Sequence, residues 1–92
     1  MTHEQYRGEG EFIVEGASHP CSYRIEVIRT ARAIDAVGTV TASPGALLAA
    51  FEAGGAELRM SDGRACPVVV RNLSLGSGTA PVASSDTSWV ER

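Results

Sequence analysis

The stretch from Ala56 to Asn72 constrains this chain most. It reads AELRMS, then Asp62-Gly63, then RACPVVVRN. Asp-Gly between two apolar-patterned runs is a strong hairpin signal, because a two-residue type I′ turn needs φ > 0 at both central residues. A two-residue loop pairs Ser61 with Arg64, Met60 with Ala65, Leu58 with Pro67 and Ala56 with Val69. That register puts Ala56, Leu58, Met60, Ala65, Pro67 and Val69 on one face. Glu57, Arg59, Ser61, Arg64, Cys66, Val68 and Val70 fall on the other. The first strand alternates cleanly and is expected to have a wet side. Val68-Val69-Val70 is apolar on both faces, which places the second strand more centrally. Pro67 sits in a non-hydrogen-bonded pair, so its missing N–H points away from the hairpin partner. A third strand on its far side must tolerate a gap there.

Upstream, the pattern predicts three more strands. Glu11 to Glu15 is a short one. Gly16 to Pro20 is a loop by composition. Cys21 to Arg29 alternates, with Cys21, Tyr23, Ile25 and Val27 facing one way and Ser22, Arg24 and Glu26 the other. Ile34 to Ala42 puts Ile34, Ala36, Gly38, Val40 and Ala42 on one side. Short connections make an antiparallel meander of the three. Ser43-Pro44 then opens a helix as N-cap and first helical residue. Gly54-Gly55 stops it. Leu47, Leu48 and Phe51 lie at helical spacing as an apolar stripe, and Phe51 is expected to be a central core contact. Thr79 to Ala83 adds a last strand. The fold class is therefore α+β: a small antiparallel sheet or open β-barrel, β-β-β-α-β-β with a sixth strand, carrying one short helix. Length makes this one domain. Residues 1–8 are expected to be a flexible N-terminus, 9–83 the globular unit and 84–92 a polar tail.

Aromatic content is only 5% of the chain, so the core must be built from Val, Ile, Leu and Ala. The formal net charge is -3, which argues against a general nucleic-acid binder. All of the basic residues are arginine, which with the abundant Ala and Gly points to a GC-rich, bacterial coding sequence. No apolar run approaches the ~20 residues of a membrane span, and the N-terminus lacks a signal-peptide pattern. Cytoplasmic location is the expectation, with Cys21 and Cys66 reduced.

The chemistry-bearing residues are few. His19-x-Cys21, with Cys66 and His3, is the soft-ligand inventory for zinc. A structural site shows two close ligand pairs, and the second is missing here. No metal and no cofactor is expected, and the cysteines read as packed thiols. Nucleophilic catalysis needs a nucleophile, a base and an orienting group held together. With His3 in the N-terminal end and His19 in a loop, no such set is legible, and the chain is read as a non-enzyme. Arg59 and Arg64 fall diagonally on one hairpin face beside Glu57, where two guanidinium groups could hold a phosphate or carboxylate.

Asn72-Leu73-Ser74-Leu75-Gly76-Ser77-Gly78 follows the strand CPVVVR. It resembles the Asp/Asn-x-Ser-x-x-Gly signature of PilZ domains, a β-barrel family that binds cyclic di-GMP. Asn72 and Ser74 match; the pattern's glycine falls on Ser77, between Gly76 and Gly78. The family's Arg-x-x-x-Arg element has no counterpart at that spacing. The resemblance implies a nucleotide ligand held near Asn72 and Ser74. Two functions are therefore expected. The first is a small non-enzymatic module acting through protein contacts, self-association included. The alternative is a sensor of a small anionic ligand or nucleotide using Arg59, Arg64, Asn72 and Ser74.

Overall fold

The structure is a computed structural model that describes residues 2–72, 78–84 and 86–91. Its elements are β1 (Thr2–Val14), β2 (Ala17–Arg29), β3 (Ile34–Thr41), α1 (Pro44–Ala53), β4 (Ala56–Arg59), β5 (Ala65–Val70) and β6 (Thr79–Ser84). A 3-10 turn (Ser88–Glu91) follows them. The strands close into an antiparallel barrel in the order β1-β2-β3-β6-β5-β4, with β4 returning to β1. The chain is a small sheet-rich domain with one helix, and the barrel is closed by its sixth strand. No helix among the described residues is long and apolar enough to cross a membrane.

β1 and β2 form a long ribbon, paired from Thr2↔Arg29 to Val14↔Ala17. The turn between them is Glu15-Gly16, with φ of 49° and 84°. Positive φ at both central residues is the type I′ signature, whose twist matches that of the flanking strands. Two segments depart from the sequence expectation here. The N-terminal residues 2–8, expected to be loose, are strand. Ala17 to Pro20, expected to be loop, opens β2. The apolar alternation of β1 is hidden because Gly8 and Gly10 occupy two positions of the phase that buries Phe12 and Val14.

The hairpin is real, but its register is displaced by one residue. Leu58 pairs with Cys66, Glu57 with Pro67 and Ala56 with Val68. The Gly63 N–H bonds the Met60 carbonyl at 3.0 Å, and the Met60 N–H bonds the Arg64 carbonyl at 2.8 Å. Of the turn residues only Gly63, at 92°, has positive φ. This is a three-residue loop with glycine in the left-handed position, not a type I′ turn. One residue of slip turns a strand's side chains to the opposite face. Cys66, Val68 and Val70 therefore join Leu58 and Met60 inside, while Ala65 and Val69 are exposed. Pro67 remains in a non-hydrogen-bonded pair. The β5–β6 ladder ends beside it at Val68↔Ser84, and its carbonyl accepts the Ser84 hydroxyl at 3.0 Å.

α1 plugs one end of the barrel, packing on β1, β5 and β6. The Ser43 side chain accepts the Ala46 N–H at 3.3 Å, and Pro44 takes the first turn. At the other end Gly54 is left-handed at φ 83°, and the Gly55 N–H reaches back to the Ala50 carbonyl at 3.1 Å. Those bonds satisfy the last carbonyls. The helix buries Ala46, Leu47 and Ala50. Phe51 is 47% exposed and Leu48 38%, so the expected core role of Phe51 is overturned. A short helix lying across a narrow barrel mouth buries one thin stripe, and the small alanines let its backbone approach.

The opposite end is closed by the C-terminal segment, which is not a plain polar tail. Trp89 is 3% exposed, and Val90 is buried beside it. The Trp89 indole N–H donates to the Ser84 hydroxyl at 3.1 Å, which satisfies the one polar group of a buried indole. The tail thus folds back as the core's second cap.

Candidate functional site

Arg59 and Arg64 stand on the hairpin, but each guanidinium has its own partners. Arg59 is exposed and ion-pairs with Glu57 at 3.1 Å. Arg64 belongs to the loop-closing pair. Its Nε lies 3.3 Å from Asp62, its Nη1 donates to the Tyr6 hydroxyl at 3.0 Å, and its guanidinium sits 5.1 Å from the Tyr6 ring centroid. The register slip separates the two roles. Asn72 is exposed just after β5, and Ser74 lies outside the described residues, as does most of the PilZ-like stretch. His19 opens β2, Cys21 follows two residues on, and Cys66 is across the barrel in β5. Both thiols are free and buried. Burial pushes each thiol above its ordinary pKa, which disfavours the reactive thiolate.

Arg64 is one link of a polar chain that crosses the Trp89-capped end. The Tyr6 hydroxyl donates to Glu4 at 2.8 Å while accepting from Arg64. Glu4 in turn lies 3.1 Å from the Arg29 Nε. Tyr6 also meets Trp89 edge-to-face, with ring centroids 5.5 Å apart. Burial, followed by the bond to Glu4, raises the Tyr6 pKa above its usual value. These contacts clamp β1 down on the hairpin tip, the β2 end and the C-terminal turn. Beside them a hollow of about 240 Å³ is lined by Asp62, Gly63, Arg64, Ala65 and Trp89.

The clamp holds β1 from its inner side only. β4 pairs with β1 at Glu11, Phe12 and Ile13, and no further. The reason is local. The Arg59 carbonyl oxygen lies 2.1 Å from where a Cβ of Gly10 would be. The chain after Arg59 crosses over the inner face of β1 instead of continuing beside it. The Ser61 hydroxyl comes 3.2 Å from the corresponding point at Gly8. Tyr23, below, takes the Ser61 amide at 3.1 Å and fixes the tip there.

Backbone phase then decides what remains open. A two-residue loop closes on a hydrogen-bonded pair, here Val14↔Ala17, and the bonded pairs alternate from it. Phe12, Gly10, Gly8, Tyr6 and Glu4 therefore bond to β2. The N–H and C=O groups of Gln5, Arg7 and Glu9 point the other way. No strand pairs with them there among the described residues. Gln5, Arg7 and Glu9 are also exposed, so the barrel carries an open edge through the first half of β1. The sequence pattern predicts only the Glu11–Val14 end of β1, so the edge along its first half was not legible. The usable signal was the same-phase series Tyr6, Gly8, Gly10, Phe12, Val14.

No protein-family model, no curated protein and no solved structure matches this chain.

Proposed function

We propose that this protein is a non-enzymatic binding module that acts through protein contacts, and that it associates with a second copy of itself edge to edge along β1. The observation that carries this is the unpaired row of backbone groups at Gln5, Arg7 and Glu9. An exposed edge is a template for another strand. Natural edges are blunted by proline, bulges or charged side chains; this one has no proline, and its two charges, Arg7 and Glu9, are of opposite sign. Antiparallel pairing centred on Tyr6 keeps the backbone groups in phase and stops short of Glu11, where β4 begins. It sets the Gln5 amide of each copy across from Arg7 of the other, a donor–acceptor match with no like charges directly opposite. The buried thiols support work in a reducing compartment, in keeping with a cytoplasmic location.

Sedimentation over a range of protein concentration tests the proposal with two substitutions at one position. The Arg7 N–H points away from β2, so proline there leaves the β1–β2 ladder intact. Arg7→Pro is expected to be a folded monomer. Arg7→Ala keeps the backbone donor and is expected to associate, more weakly than the parent. A parent chain that stays monomeric at high concentration, or an Arg7→Pro protein that associates as the parent does, overturns the proposal.

A further inference from the structure

The outer face of β1, β2 and β3 holds a second feature, centred on Arg24 and sharing only Arg7 with the β1 edge. Arg7 of β1 lies directly across from Arg24 of β2, and Arg24 across from Thr39 of β3. One step along, Ser22 lies across from Thr41. All of these lie on the outward phase of their strands. Arg7↔Arg24 falls between the bonded pairs, where opposing side chains are closest. Like charges there are unfavourable. Neither guanidinium has a carboxylate within ion-pair distance among the described residues, whereas Arg29, Arg59 and Arg64 each do.

The face under Arg24, Ser22, Thr39 and Thr41 is hollow, and Arg7 stands beside it across from Arg24. A depression of about 220 Å³ is lined by Ser22, Tyr23, Arg24, Thr39 and Thr41. It runs on into a second, of about 270 Å³, that shares Arg24 and Thr39. Gly38 explains the curvature. A Cβ there would stand 1.9 Å from the Arg24 carbonyl oxygen, so β3 closes on β2 at that point and the sheet bends around it.

We propose that this hollow binds a single phosphate group, held by Arg24 from its lining, hydrogen-bonded by the hydroxyls of Ser22, Thr39 and Thr41, and met by Arg7 reaching in from its place across from Arg24 on β1. Two guanidinium groups abreast match the charge and the multiple acceptors of a phosphate dianion. The bound anion would relieve the repulsion between them. Thr41 shares a 2.9 Å bond with Thr79, in which Thr79 can donate and leave the Thr41 proton free for the ligand. Glu9 and Glu26 flank the two arginines along their strands. They confine the positive field to one phosphate's width and disfavour a polyanion such as nucleic acid.

Titration with inorganic phosphate, at constant ionic strength set with chloride and followed by backbone amide NMR, tests the site. Saturable shifts at Arg7, Ser22, Arg24, Thr39 and Thr41 are expected. Arg24→Gln should weaken binding about tenfold or more, the loss expected for a charge-assisted bond. Arg32→Gln, at an exposed position in the β2–β3 connection, should leave binding unchanged. Shifts that fail to saturate at tens of millimolar phosphate overturn the inference. So do shifts spread over every arginine, or an Arg24→Gln protein that binds as the parent does. Arg24 is not on the β1 edge, so association measured on the same samples reports separately on the self-association proposal.

Discussion

Gly10 and Arg59 meet at the point where the barrel closes: a Cβ on Gly10 would stand 2.1 Å from the Arg59 carbonyl oxygen. Backbone cannot yield as a flexible side chain does. Gly10→Ala should therefore push β4 off β1 and cost about 1–3 kcal/mol or more, the range for overpacking a tight contact. Gly45 is the control. Nothing lies within 4 Å of its Cβ position, and its φ is not in the left-handed region. Gly45→Ala should stabilise the protein by about 0.4–1 kcal/mol, chiefly by restricting the unfolded chain. Denaturant midpoints that move together for the two variants would contradict this account of closure.

The helix offers a second contrast. Leu47 is 1% exposed and Phe51 47%. Leu47→Ala should cost about 2–5 kcal/mol, whereas Phe51→Ala should stay within ~1 kcal/mol. Chemical denaturation of the monomer measures both. A large loss at Phe51 would mean that the helix lies on the barrel differently from the arrangement described.

Tyr6 gives a signed pH dependence. Its pKa is raised in the folded state, first by burial and then by the bond to Glu4. The folded form therefore holds the phenolic proton more tightly than the unfolded chain does. The associated stability is fully present below the unfolded value near ~10 and is lost as pH rises through the folded one. Tyr6→Phe should remove this part of the alkaline fall in stability. The thiols, also raised, keep theirs. Identical alkaline limbs for parent and Tyr6→Phe would refute the assignment.

What the sequence revealed, and what it hid, follows from particular residues. Strong local signals were reliable: Ser43-Pro44 and Gly54-Gly55 bound the helix as expected, and Cys21 to Val27 faces inward in the expected phase. Asp62-Gly63 marks a turn, and the structure makes it a three-residue loop in place of the two-residue form the dipeptide predicts. A dipeptide marks where φ turns positive but not how many residues the loop holds, and one residue inverts a face. The stripe pattern predicts Leu48 and Phe51 inside, but pattern alone does not say how wide a stripe a narrow barrel mouth covers, and both are exposed. Gly8 and Gly10 hide the first part of β1, since glycine carries no hydrophobic signal, although here it marks close backbone approach. Trp89 lies among the polar residues of 84–92, yet it caps the core. The outer Arg7–Arg24 pair depends on a register that only the long β1–β2 ribbon supplies.

Amide hydrogen exchange along β1, compared at low and high protein concentration, tests the open edge most directly. At low concentration the amides of Tyr6 and Gly8, bonded to β2, should be protected, while those of Gln5, Arg7 and Glu9 exchange freely. At high concentration Gln5, Arg7 and Glu9 should slow together, because a second copy takes up their free N–H groups, and the pattern at Tyr6 and Gly8 should be unchanged. Alternation that is absent at low concentration, or Gln5, Arg7 and Glu9 rates that do not depend on concentration, would contradict the claim that this barrel joins its like through the edge of its first strand.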